Sequence, residues 1–84
     1  MDKLVIMQSA FKHGLSEESI KEAWSGFVRK RPRGDDCWVA IGFDTKGRQI
    51  ELVGLVLADG TILIIHAMSP ATEKMLRELG LGGR

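Results

Sequence analysis

The side chains best suited to move protons in this 84-residue sequence are two histidines, His13 and His66, and the carboxylate Glu51. A carboxylate beside an imidazole favours the charged ring, which suits general acid or base work near neutral pH. A second group of residues could hold phosphate: the run Arg29-Lys30-Arg31-Pro32-Arg33, Lys12 beside His13, and Arg48 after Gly47. Four positive charges in five residues would supply most of any nucleic-acid affinity. Asp35 and Asp36 follow at once, so the structural alternative is a solvated linker, partly self-neutralised. No aromatic residue is interleaved with these cations, which argues against base stacking at the cluster.

Other chemistries find less support. His13, His66 and Cys37 have no short ligand spacing, so no metal site is expected. Gly80, Gly82 and Gly83 do not follow a strand and make no phosphate-cradling loop, and no cofactor is expected. Cys37 is alone, which rules out an internal disulfide, and its apolar surroundings point to a structural thiol. A formal net charge of +1, from 12 basic and 11 acidic residues, creates no field that demands nucleic acid or an anionic membrane. The apolar run after Met1-Asp2-Lys3 is too brief for a signal peptide, and nothing approaches the ~20 apolar residues of a membrane helix. The expectation is a soluble, cytoplasmic protein with a single domain over 1-84.

The elements that must position these groups divide at the basic run. Ahead of it, Leu4 to Met7 suits a short strand, and Ser9 to His13 a helical turn ended by Gly14. Ser16 reads as the N-cap of a second helix, with Glu17 and Glu18 at its positive end and Ile20, Ala23, Trp24, Phe27 and Val28 along one face. After it, Asp44-Thr45-Lys46-Gly47 suits a type I turn with a glycine bulge, and Asp59-Gly60 a two-residue type I′ turn. Those turns predict a three-stranded antiparallel meander. Val39, Ile41, Phe43, Gln49, Glu51, Val53, Leu55, Ile62, Ile64 and His66 would share one face, with Leu63 and Ile65 on the other. Glu51 and His66 then lie diagonally on neighbouring strands, with Cβ atoms roughly 5 to 7 Å apart. The face holding Ala40, Gly42, Gly54 and Ala67 is small enough to admit a helix closely, and both faces are apolar enough to need cover. Ser69-Pro70 would open a final helix with Ala71, Met75, Leu76 and Leu79 facing inward.

Three stretches carry a family likeness. Phe11-Lys12-His13-Gly14-Leu15-Ser16, then Ala40-Ile41-Gly42-Phe43-Asp44 with Gly47-Arg48, then Ile64-Ile65-His66-Ala67 and a helix with Ala71-Thr72 resemble the BrnT-type toxins of bacterial toxin-antitoxin systems, within the broader RelE-like group. The resemblance covers most of the chain. It implies a RelE-like α+β fold in which N-terminal helices, and a fourth N-terminal strand if Leu4 to Met7 forms one, precede the meander and a C-terminal helix. It also implies metal-independent RNA cleavage without a cofactor, and a cognate antitoxin as partner. Homo-oligomerisation is left open, and no membrane is implied. Where the family typically has an arginine on the last strand and a Ser-Ala-Arg run at its end, this chain has Ile64 and His66-Ala67-Met68. Two cationic positions are therefore missing, and His66 would take over part of their function. Two readings follow: a toxin-like ribonuclease using His66 with Glu51 or His13, or a non-catalytic module that docks a partner on its apolar sheet face.

Overall fold

The computed structural model describes residues 3–81; Met1, Asp2, and Gly82 and Gly83 of the glycine-rich terminus lie outside the described residues. The chain runs β1 (Leu4–Ile6), a 3-10 turn (Gln8–Phe11), α1 (Glu17–Ser25), β2 (Phe27–Pro32), β3 (Cys37–Phe43), β4 (Gln49–Val56), β5 (Ile62–Met68) and α2 (Glu73–Glu78). All strands join one sheet in the order β1-β5-β4-β3-β2. Neighbours are antiparallel except β1, which runs parallel to β5.

This small α+β fold is not the RelE-like arrangement expected. The strand expected at Leu4 forms as β1 but makes the sheet mixed by running parallel to β5, the first expected helical turn is only a 3-10 turn, and the meander supplies three of five strands. The second helix is capped as its sequence requires, with the Ser16 hydroxyl accepting from the Ser19 N–H. It stops at Ser25, however, so Phe27 and Val28 do not extend its apolar face. They begin β2, and the basic run expected to be a loop supplies the rest of that strand as far as Pro32, with Arg33 just beyond it. An edge strand buries neither face fully, so its charged alternation hides it from a reading based on apolar periodicity.

Turn chemistry sets the centre of the sheet. Asp44 Oδ1 accepts from the Lys46 and Arg48 N–H groups while Gly47, at φ 80°, closes the bulge, giving the register Ile41 opposite Glu51 and Val39 opposite Val53. The β4–β5 hairpin departs from expectation twice. Its loop holds three residues, Ala58 to Gly60, because the Leu57 N–H donates to Thr61 O and Gly60 takes the left-handed position. One residue is then absorbed at a bulge around Ile65, between the pairs Gly54 with Ile64 and Val53 with His66. The two offsets cancel. His66 keeps the partner that a two-residue loop would have given it, while Ile62 and Ile64 move to the face expected for Leu63 and Ile65, and those two change places with them.

Each face has its own core. On one, α1 lays Ile20, Ala23 and Trp24 over Ala40, Ile50, Leu52, Ile64 and Ala67. Gly42 lies directly beneath the backbone of Ala23, and Gly54 beneath the Trp24 ring. On the other face, Ala71, Met75 and Leu79 cover Val39, Ile41 and Val53. Here too the helix start differs: Thr72, not Ser69, is the N-cap, and its hydroxyl accepts from the Met75 N–H. The Ser69-Pro70 bond is cis and precedes the helix. Gly80 and Leu81 close α2 by donating to Arg77 O and Leu76 O.

Candidate functional site

The two cancelling offsets matter most at the end of β5, where His66 and Glu51 share the α2 face. His66 Nε2 lies 2.7 Å from Glu51 Oε2. An ionised carboxylate only accepts, so Nε2 is the donor and Nδ1 is the other ring nitrogen. The second Glu51 oxygen accepts from the Thr72 N–H at 2.7 Å and the Thr72 hydroxyl at 2.8 Å. Burial would raise the Glu51 carboxyl, but the Thr72 N–H, the His66 ring and the Thr72 hydroxyl outweigh it and hold the group below its ordinary range. Glu51 is thus a buried, charged anchor. His66 keeps 32% of its side chain exposed, enough to meet a substrate.

The N-terminal segment brings in the other histidine. The Met7 N–H continues the β1–β5 pairing by donating to Ile64 O, and the Ser9 hydroxyl donates to the bulge carbonyl of Ile65 at 2.6 Å. The chain then turns at Gly14, φ 83°, and the His13 ring meets the edge of His66 with centroids 5.6 Å apart. His13 follows a 3-10 turn, Gln8–Phe11, where a helical turn from Ser9 to His13 was expected. Lys12 beside it is exposed.

A cleft of about 360 Å³ opens at His66 and Glu51, bounded by Arg33, Thr72, Lys74 and Met75. Of the expected phosphate ligands, only Arg33 lines it. Its guanidinium holds Glu78 through two hydrogen bonds, at 2.9 and 2.6 Å, and that pairing keeps the Glu78 carboxyl below its usual range. Arg29 and Arg31 donate to the carbonyls of Leu79 and Glu78 and so cap the C-terminal end of α2. Lys30 turns to the opposite face, over aromatic rings. Arg48 turns toward α1, bonding Asp44 Oδ2 at 2.8 Å and the Ser19 hydroxyl at 2.9 Å. Thr72 and Lys74 were not among the expected site residues, although Ala71-Thr72 belongs to the family likeness. Ser69-Pro70 is the stronger local cap signal, yet Thr72 caps α2. Among the described residues, no group of three or more His, Cys, Asp or Glu side chains could hold a metal ion.

Asp44 opens the β3–β4 turn. Burial would raise its carboxyl, yet the Arg48 N–H and guanidinium, with the Ser19 hydroxyl, hold it down to about 2. A carboxyl depressed by folding adds stability above its unfolded value and loses that contribution as pH falls through the folded one. The window for Asp44 therefore runs from about 3.8 down to about 2, and that for Glu51 begins near 4.5 and extends lower. Urea midpoints should fall as pH drops through this range. Asp44→Asn should be less stable than the native chain at pH 7 and converge on it near pH 2; a constant gap would contradict the assignment.

No family model, curated protein or solved structure matches this chain. Among the described residues, no helix is long and apolar enough to cross a membrane.

Proposed function

We propose that this protein is a toxin-like, metal-independent endoribonuclease whose proton-transfer groups are His66 and His13, with Glu51 orienting His66. The supporting observation is the pair itself: a buried carboxylate with three hydrogen bonds holds a partly exposed imidazole at the rim of a cleft that also carries Arg33 and Lys74. Glu51 engages Nε2, leaving Nδ1 of His66 to take the proton of a ribose 2′-hydroxyl as it attacks the adjacent phosphorus. A second imidazole can return a proton to the departing 5′-oxygen, and His13 is the nearest candidate. Lys74 supplies positive charge at the developing phosphorane, while Arg33, whose charge is paired with Glu78, borders the same cleft. Lys74 stands in for one of the cationic positions that the BrnT-type resemblance implies at the end of the last strand. The partner this reading implies is a cognate antitoxin.

Docking of a partner on the bare sheet face, the non-catalytic alternative, needs that face open. Ala71, Met75 and Leu79 occupy it. Incubation of purified protein with single-stranded RNA in excess chelator should give strand cleavage ending in 2′,3′-cyclic phosphate, and substrate with 2′-deoxyribose at every position should stay intact. Cleavage of the deoxy substrate, or none of either, would remove this reading.

A further inference from the structure

The face of the sheet away from His66 carries a second arrangement with its own chemistry. The register shift at Val28 places Phe27 and Lys30 on the same face of β2 although they are three residues apart. Lys30 Nζ lies 4.5 Å from the Phe27 ring centroid, 5.1 Å from that of Trp24 and 5.6 Å from that of Trp38. Trp24 comes from α1 and Trp38 from β3, where it sits opposite Gly54. A methyl group on Gly54 would stand 2.9 Å from Trp24 Cη2, so the glycine lets the indole lie close to the sheet. A pocket of about 280 Å³ opens beside the two indoles, with Lys30 at one side and Val56, Gly60 and Ile62 completing it.

We propose that this pocket binds one base of a single-stranded RNA, stacked on the half-buried indole of Trp38 beside the buried Trp24, with the adjoining phosphate on Lys30. The choice of RNA rests on the ribonuclease reading; the choice of a base beside a phosphate rests on the pocket. Ring faces that attract an ammonium group are the faces on which a planar heterocycle stacks. Among the described residues Lys30 is the only charged side chain lining the pocket, so a cationic ligand is repelled and an uncharged one leaves the ammonium without a counter-charge. An aromatic ring carrying a neighbouring anion satisfies both. Val56, Gly60 and Ile62 bring no polar side chain to read a base edge, so the grip is tolerant of base identity. It lies on the α1 face, whereas His66 lies on the α2 face, so it holds substrate apart from the cleaving groups.

The chain has only two tryptophans, and both line this pocket, so intrinsic fluorescence reports on it directly. The probe is a 2′-O-methyl oligoribonucleotide about six nucleotides long, which lacks the attacking hydroxyl. It should quench the emission saturably, while an abasic ribose-phosphate oligomer of equal length and inorganic phosphate should not. Lys30→Gln should weaken binding about tenfold and lower its salt dependence, and Trp38→Leu, checked for native circular dichroism, should weaken it by a similar factor. Absence of quenching, equal quenching by the abasic oligomer, or full affinity in Lys30→Gln would each overturn the proposal. Base-dependent quenching without RNA cleavage would support the pocket and remove the nuclease reading, whereas cleavage without quenching would remove the pocket alone.

Discussion

His66→Ala is expected to lower the rate of RNA cleavage in chelator by about 100-fold or more, the usual contribution of a positioned general acid or base. The change should leave the fold in place. His66 lies at the sheet margin with 32% of its side chain exposed, so its removal opens no sealed cavity. Glu51 loses one hydrogen bond but keeps both from Thr72, and a destabilisation of about 1–2 kcal/mol is the scale to expect. Rates should therefore be measured well below the melting temperature of the variant. A variant that folds and still cuts RNA at the native rate would end the role assigned to this ring. His13→Ala separates the second proton carrier from the first, because its ring touches His66 without sharing Glu51.

Gly42→Ala should be the most damaging small substitution in the chain. A Cβ there would stand 1.9 Å from the carbonyl oxygen of Ala23 and 2.7 Å from its carbonyl carbon. Both atoms are backbone, one side fixed near the end of β3 by its pairing with Ile50 and the other inside α1, so no rotamer change relieves the overlap. The helix must lift, and Ile20, Ala23 and Trp24 lose their seat on the sheet. The expected loss is about 3 kcal/mol or more, against a total stability of about 5–10 kcal/mol for a domain of this size. Gly54→Ala provides the comparison, since its Cβ would meet the Trp24 side chain, which can tilt; about 1–2 kcal/mol is expected. Urea midpoints of the two variants rank these costs. Gly42→Ala with a native midpoint would mean that α1 does not approach the sheet this closely.

What could be read from the sequence follows the range over which each signal acts. Ser16 and the Asp44 turn act within four residues, and each gave the local structure it predicts. The small side chains Ala40, Gly42, Gly54 and Ala67 marked the face that α1 covers, because close approach depends on the size of the residues beneath it. The proximity of His66 and Glu51 came through for a less direct reason: a loop one residue longer than expected and a bulge at Ile65 offset each other. Ile62 and Ile64, lying between the two departures, ended on the wrong face.

Longer-range pairings left no comparable trace. Nothing local marks Leu4–Ile6 as a parallel partner of β5, or the basic run as an edge strand. Arg29 and Arg31 meet their carbonyl acceptors 50 and 47 residues away in sequence, so their use as helix caps was out of reach. The aromatic surroundings of Lys30 were missed for the same reason. They come from three separate elements, α1, β2 and β3, although the cation run contains no aromatic residue of its own.

The arginine caps also set an order on biosynthesis. Every strand precedes α2 in the chain, so the sheet clears the ribosome before its C-terminal cover does. Until then Glu51 lacks Thr72, Arg29 and Arg31 lack their carbonyl acceptors, and Val39, Ile41 and Val53 lie uncovered. The nascent sheet is thus most exposed to misassociation until α2 emerges, and the interval closes when six helical residues and the two that follow them reach the arginines of β2.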